Sequence, residues 1–441
     1  MVTNTICIYL RITKLVTLIM YEFIRFNIKK CVNYLYNIPT YRLELITNIS
    51  KKLEHENIVY VKIFQALCLD RELLSCDEQD FLLKYTDNVP YENNEIDYDL
   101  LDKLEHEFAI TLNTRVPSNC GIVGLVFHGY DSSNNKVIVK MLKNNIEEKF
   151  KKVFTELLYI SYICKYIPYI KSLKITRILL DNEEILLNQM NFIKEVEALE
   201  IFSKKYKNNK EFRFPKVYRE ITEKYNELLV MENINGLKFK NIESMDETVK
   251  EEFSYLLNKF AILGTLYYSL IHCDLHSGNV FFYINNETDS VNNELPKYVL
   301  GIIDFGICCF PNKENQNAYY IFFNDIHYNQ DYSNIEKLLY AIIQEKDVLN
   351  SLSGNKKQQF LNEAINCFQM NTKDEITTQL LIDISKLLNK YDLNFTEEFN
   401  KLILSIHVAN HFGKQLSINL KATQRKVITD LNKFNDLFLC N

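Results

Sequence analysis

Apolar residues along this chain recur first at helical spacing, then in alternation, then at helical spacing again. Residues 41–110 read as helices. In YRLELITNISKKLE, IVYVKIFQALCLDRELL and DLLDKLEHEF an apolar side chain returns every three or four positions, with an acidic, proline-containing turn at Asn88 to Asn94 before the last of them. From Arg115 the pattern shortens to β-rich segments around Gly121 and Gly124 and then VIVKMLK at 137–143, the alternation of strands in a small antiparallel sheet. Residues 145–205 return to the helical period, while FPKVYREI (214–221) and NELLVMENI (226–234) read as further strands. From residue 246 the chain is mostly helical, interrupted by two short apolar strands, NVFFYI (279–284) and YVLGIIDF (298–305). These changes of period predict an N-terminal segment 1–40, a helical extension 41–110, a β-rich lobe 111–235 with a helical insertion at 145–188, and a helical lobe 236–441.

At 441 residues and 47% hydrophobic, the chain can bury a large core. A net charge of −6 excludes a whole-protein affinity for nucleic acid. The eleven cysteines form no CxxC pair, so neither a zinc ribbon nor a disulfide framework is expected, and the chain reads as intracellular, in a reducing compartment. The N-terminal segment changes the picture more. Through residue 43 it carries Arg11, Lys14, Arg25, Lys29, Lys30 and Arg42 against Glu22 alone. Its central charge-free stretch, Leu15 to Tyr21, is far short of the roughly 20 residues of a membrane-spanning helix. Two readings stay open: a basic amphipathic helix that lies on an anionic membrane or serves as a targeting segment, and a helix packed on the domain.

Only ten glycines occur, and Gly121, Gly124, Gly129, Gly278, Gly301 and Gly306 fall in the segments that carry chemistry, where positive φ or close backbone approach is expected. The strongest signal is IHCDLHSGNVFF (271–282) followed by LGIIDFG (300–306). Phosphoryl transfer asks a protein for position and charge more than for covalent help. Asp274, with Asn279 five residues on, has the spacing of a kinase catalytic loop. Asp304, ending an apolar strand before Phe-Gly, has the place of the metal-binding carboxylate. A competing reading makes His272, Asp274 and His276 a metal site; no further ligand cluster supports it, and His272 is read as a brace of the loop.

Upstream, NCGIVGLV (119–126) fits a glycine loop whose backbone N–H groups, at Gly121 and Gly124, approach phosphates. Lys140 of VIVK, fourteen residues after Val126, is the strand lysine expected to hold the α and β phosphates. Glu195, or in its place Glu197, is the helix carboxylate expected to orient it. Backbone at Met231, Glu232 and Asn233 is expected to meet adenine. The cofactors so implied are ATP or ADP with magnesium. The fold so implied is α+β, a protein-kinase-like two-lobed fold with a small β-rich lobe, a large helical lobe and an N-terminal helical extension. Two features depart from ordinary protein kinases: 55 residues separate Lys140 from Glu195, and no Ala-Pro-Glu segment follows Asp304.

Over about residues 40–420 the chain resembles the UbiB family of aarF-domain-containing atypical kinases, as a divergent member. In VKIFQALCLDRELL, Lys62 and Gln65 match the family's Lys-x-Gly-Gln motif as regulatory residues, with Phe64 where the family has Gly. QMNFIKE (189–195) matches the Glu-x-Asp-Phe…Glu helix, with Gln189 and Asn191 replacing both acids and Glu195 retained. FPKVYREI, LLVMENINGLK and HCDLHSGN follow the family's order, whereas Gly121 and Gly124 replace its Ala-rich loop. The resemblance implies an ATPase or kinase at a membrane, tied to isoprenoid-quinone or lipid metabolism, with nucleotide and an anionic membrane or lipid as partners. Two other readings stand beside it: a small-molecule phosphotransferase of the aminoglycoside or choline kinase type, and a nucleotide-binding pseudokinase scaffold.

Overall fold

A computed structural model of the chain describes residues 2–36, 42–57, 59–60, 89, 91–164, 183, 187–285, 296–371, 378–417 and 419–439. Lys62, Phe64 and Gln65 lie outside the described residues, as does the tip of the 285–297 loop. Helices α1 (Val2–Leu35), α2 (Arg42–Glu56) and α3 (Tyr98–Phe108) precede β1 (Thr111–Leu112), β2 (Asn119–Cys120), β3 (Gly124–Tyr130), β4 (Lys136–Leu142) and α4 (Ile146–Cys164). Next come α5 (Phe192–Lys205), β5 (Phe212–Arg213), α6 (Arg219–Lys224), β6 (Leu228–Glu232) and α7 (Glu247–Leu263). Then β7 (Ile271–His272), β8 (Val280–Ile284), β9 (Tyr298–Ile302) and β10 (Cys308–Cys309) lead into a helical remainder that includes α8 (Lys313–Tyr320), α9 (Glu397–Leu416) and α10 (Leu420–Leu439). The chain divides into two compact units: Met1–Ile193 with Val217–Asn233, and Lys194–Lys216 with Ile234–Asn441.

In the first unit the sheet runs β1-β3-β4-β6, with β2 on β3, all antiparallel. Alternation along the strands sends Leu125, Phe127, Val137, Val139 and Met141 to one face, where they are fully buried against Leu101 and Leu104 of α3. Asp97 caps that helix by accepting a hydrogen bond from Leu100 N–H at 2.9 Å. A second core joins Leu15 of α1, Leu53 of α2 and Phe150 and Phe154 of α4. Ion pairs tie α1 down: Lys14–Glu56 and Lys29–Glu44 at 2.6 Å, Lys52 to the buried Glu22 at 2.5 Å, and Arg11–Glu156 at 3.7 Å. These pairs fasten α1 while its basic side chains stay largely in solvent. Beside them α1 exposes apolar side chains, including Val16, Met20, Phe23, Ile24, Ile28 and Val32. Among the described residues no helix is long and apolar enough to cross a membrane.

The strand expected at FPKVYREI does not form. Val217 makes a single bridge to Met231, and the chain then turns into α6. Pro215 has no N–H for a ladder, and the following RxxxE pair favours a helical turn, with Arg219 bridging Glu223 at 2.6 Å.

The second unit is built on aromatic packing. Phe202 of α5 and Tyr206, just past its end, meet Phe260 of α7, and Phe202 lies 5.0 Å from the Phe305 ring. Strands β5, β9 and β8 form one sheet, with β5 parallel to β9, and β7 pairs with β10. α7 ends in a π-helical turn, Gly264–Tyr268, that carries the chain back into β7. Gln316 of α8 donates to the Leu266 carbonyl there at 2.8 Å. A Cβ on Gly264 would stand 2.7 Å from the Leu270 carbonyl oxygen, so only glycine permits so tight a return. The expectation that glycine serves positive φ is corrected: among the described residues no glycine has one, and the left-handed positions fall at non-glycine residues such as Ser269 and Asp304.

His327, on the π-helical segment Ile321–Tyr328, is 1% exposed, and neither ring nitrogen has a hydrogen-bond partner. Burial, with Arg425 and Lys421 nearby, pushes its pKa down to about 4. A depressed folded-state pKa favours the neutral ring, so this stability is present above about pH 6.5 and is lost as pH falls toward 4. We expect this group to remove about 2 kcal/mol of unfolding free energy between pH 7 and pH 5. Urea melts of the protein and of His327→Phe at both pH values check it, the variant showing the flatter dependence.

Candidate active site

The second unit holds the acidic half of the predicted site. β7 delivers His272, and the loop that follows carries Asp274, His276 and Asn279 into β8. His272 is 4% exposed, and burial keeps its pKa below the usual histidine value against the opposing pull of Asp274 and Asp304. Its Nδ1 accepts from Asp274 N–H at 3.3 Å, which puts the ring proton on Nε2, 3.2 Å from the Ile303 carbonyl oxygen. Both nitrogens are therefore engaged by backbone, and the ring packs edge-on to Phe305 at 5.0 Å. This is a brace and not a metal ligand. Among the described residues no group of three His, Cys, Asp or Glu side chains is placed to hold a metal ion.

The loop itself is tightly wound. Asn279 Nδ2 donates to the Asp274 carbonyl at 2.9 Å and approaches the Asp274 carboxylate at 3.4 Å. The Asn279 carbonyl accepts from Ile303 N–H at 3.0 Å, tying the loop to the end of β9. There the strand stops two residues before Asp304, which takes φ +61°, a strained left-handed conformation for a residue with a side chain. A Cβ placed on Gly306 would lie 3.4 Å from Asp304 Oδ1 and 3.7 Å from Glu195 Oε2, so two carboxylates flank that point. Glu195 is buried in the first turn of α5, whereas Glu197 faces solvent. With its nitrogen directed at Asp274, Asn279 has its amide oxygen to offer. A carboxylate such as Asp304 and an amide oxygen are hard donors of the kind magnesium takes.

The first unit holds the basic half. Gly121 N–H donates to the Gly124 carbonyl at 2.8 Å, closing the turn between β2 and β3. A Cβ on Gly124 would sit 3.1 Å from the Met141 carbonyl oxygen, a tight fit that favours a small residue there. Register places Lys140 opposite Val126 on one side and Leu229 on the other, and Met231 opposite Ile138. Gly124, Lys140 and Met231 therefore share the face of the sheet turned away from the α3 core, with Lys140 half-buried. Glu232 ends β6, and Asn233 N–H donates to the Lys136 carbonyl at 2.9 Å.

One support was missed from sequence. Lys143 follows Val137, Val139 and Met141 on the core side, its Nζ is fully buried, and it meets Glu95 at 3.2 Å. Glu95 also takes Lys149 at 2.6 Å, and these cations hold its carboxyl below the usual range despite the opposing effect of burial, the largest single influence. Lys143 N–H donates to the Val123 carbonyl at 3.0 Å, so this buried pair underpins the glycine loop. The signal was parity: a lysine in core register demands an acid.

A model of the ABC1 atypical kinase-like domain matches residues 100–339, more than half of the chain. The chain belongs to the ABC1 atypical kinase-like family. Its relatives include a probable protein kinase UbiB of Blochmanniella pennsylvanica, 26% identical over 47% of this chain and 36% of that protein. An aarF domain-containing chloroplastic protein kinase of Arabidopsis thaliana is 21% identical over 67% of this chain and 57% of its own length. The chain thus spans well under two thirds of these relatives. Among solved structures, the erythromycin complex of Rv3197 from Mycobacterium tuberculosis is 19% identical with a TM-score of 0.46, covering 82% of this chain and 90% of that one. A Rio2 kinase–ADP/Mg2+–phosphoaspartate complex from Chaetomium thermophilum is 11% identical with a TM-score of 0.32, covering 72% and 84%. ABC1-family membership agrees with the α+β, kinase-like fold expected from the motifs.

His272→Phe keeps an aromatic ring against Phe305 but leaves Asp274 N–H and the Ile303 carbonyl without their partner. We expect a loss of about 2–4 kcal/mol of stability, read from urea denaturation, since each unsatisfied buried group costs roughly 1–3 kcal/mol.

Proposed function

We propose that this chain is a magnesium- and ATP-dependent atypical kinase or ATPase. The observation that carries the reading is the loop wound around Asp274 and Asn279 and hydrogen-bonded to the segment that presents Asp304. Magnesium, when bound, supplies positive charge to the phosphate oxygens. The Asn279 amide oxygen and the Asp304 carboxylate would hold it. Lys140 and the backbone N–H groups of Gly121 to Gly124 would bind phosphate oxygens, Glu195 would orient the lysine, and Met231 to Asn233 would receive adenine. Asp274 would take the proton of the acceptor hydroxyl as its oxygen bonds the γ-phosphorus of ATP and the bond to the departing ADP breaks. Family membership supports a phosphotransferase, and the resemblance to UbiB proteins points to an acceptor in isoprenoid-quinone or lipid metabolism.

The reading includes a membrane. Val16, Met20, Phe23, Ile24, Ile28 and Val32 give α1 an exposed apolar stripe at three- and four-residue spacing, with Arg25 and Lys30 beside it. Such a stripe suits insertion at the level of lipid headgroups.

Two measurements test these statements. ATP should raise the melting temperature of the protein only with magnesium present, through mass action on the folded state. Asp304→Asn should keep the fold and lose that magnesium-dependent shift; equal shifts in both proteins would remove Asp304 from the metal site. In sedimentation with anionic vesicles, the protein should pellet, and Phe23→Glu with Ile24→Glu, both at solvent-exposed positions, should leave it in the supernatant. Undiminished pelleting of that variant would rule out α1 as the membrane face.

A further inference from the structure

The loop that carries Asp274 and Asn279 hangs between two short strands of the second unit, and α9 touches both of them. β7, which enters the loop, pairs with β10, His272 standing opposite Cys308. Cys273 N–H donates to the Ile307 carbonyl at 2.9 Å, so the peptide groups of residue 273 face β10. In an antiparallel ladder the preceding residue turns its own groups the other way, which directs the His272 carbonyl away from β10. There it accepts a hydrogen bond from the Ser405 hydroxyl of α9 at 3.1 Å.

Ser405 is buried on α9 with Leu402 and Ile406 as buried neighbours in the helix. A hydroxyl in such surroundings is unfavourable unless it finds a partner. The common partner of a mid-helix serine is the carbonyl four residues back in its own helix. Ser405 instead gives its one proton to His272, 133 residues away in sequence. Two helical turns further along the same face, Phe412 packs against Phe282 of β8, the rings 6.2 Å apart. β8 begins directly after Asn279. One helix therefore holds the chain on both sides of the loop, at His272 before it and at Phe282 after it. α9 is itself firmly seated. Thr396 caps it by accepting from Phe399 N–H at 3.3 Å, and Phe399 packs on Tyr319 and Phe322.

We propose that Ser405 is a positioning residue for phosphoryl transfer, its hydroxyl anchoring the His272 peptide so that Asp274 keeps a fixed place relative to Asn279 and Asp304. The inference rests on the kinase or ATPase reading of that loop and adds to it a support from α9. Without the hydroxyl, a buried carbonyl loses its donor, and the peptide between His272 and Cys273 can rotate toward another. The His272 ring also holds Asp274 N–H and the Ile303 carbonyl, so a shift there is passed to the base and to the segment that presents Asp304. Lys140 and the glycine loop make no use of the contact. Turnover should therefore suffer more than ATP binding.

The test compares Ser405→Ala, Ser405→Cys and Ser405→Thr in the full chain. Magnesium-dependent ATP hydrolysis is expressed per nucleotide site, counted by isothermal titration with a non-hydrolysable ATP analogue, so that unfolded protein does not register as lost turnover. In Ser405→Ala, kcat should fall about tenfold while the KM for ATP changes less than about threefold, the pattern of one hydrogen bond lost mainly from the transition state. Ser405→Thr keeps the hydroxyl and should turn over like wild type. Ser405→Cys, a weak donor, should fall between the two, and it carries the test if the alanine variant does not fold. Hydrogen–deuterium exchange gives a readout that needs no turnover. Peptides across 271–282 should exchange faster in the alanine and cysteine variants, while those across β3 and β4 stay as in wild type. Wild-type protein that releases no phosphate from magnesium ATP removes the kinase or ATPase reading, and the exchange comparison then decides the anchor by itself. Wild-type turnover and exchange in Ser405→Ala and Ser405→Cys, or equal impairment of the alanine and threonine variants, overturns the proposal.

Discussion

Burying His272 removes its imidazole from water, so each ring nitrogen has to find its partner inside the protein. The partners are the backbone N–H of Asp274, two residues on, and the carbonyl of Ile303, 31 residues on, at the two ends of the ring. A neutral imidazole with one donor and one acceptor is the side chain that satisfies both at once. Because Asp274 directly precedes the Asn279 turn and Ile303 directly precedes Asp304, one ring sets the spacing between the candidate base and the candidate metal ligands. The aromatic shell of Phe202, Phe260 and Phe305 keeps the ring dry and neutral. The left-handed strain at Asp304 is tolerated because the preceding residue, Ile303, is held at its carbonyl by the His272 ring and at its N–H by the Asn279 carbonyl.

The first unit uses charge in a related way. Lys143 buries its ammonium group only because Glu95 is there, and Glu95 is shared with Lys149. Breaking such a pair by removing one partner typically costs about 3–5 kcal/mol, which makes the segment behind the glycine loop stiff. On α1, Lys14 and Lys29 pair at the surface with glutamates of α2, beside a row of exposed apolar side chains. The basic composition of that helix therefore describes how it is attached, and its exposed side chains describe what it can meet.

Much of this was legible in the residues themselves. The period of DLLDKLEHEF became α3, the alternation of VIVKML became β4, HCDLHSGN and IIDFG, with Asp and Asn five apart, gave the kinase-like signature, and the Lys62–Gln65 block with FPKVYREI carried the resemblance to the family. FPKVYREI was misread because its apolar spacing suits a strand, while Pro215 and the Arg219–Glu223 pair favour a turn and a helix. Lys143 was passed over although its register with Val137, Val139 and Met141 pointed it at the core.

The sequence alone determined where strands and helices form and which chemistry-bearing residues stand at catalytic spacing, because periodicity and motif spacing are properties of neighbours along the chain. The tertiary structure alone decided which backbone groups His272 braces, that Glu195 rather than Glu197 turns inward beside Asp304, and that Glu95 answers Lys143. Those outcomes depend on which distant groups share one volume from which water is excluded, and there a polar atom's role is set by the partner it meets.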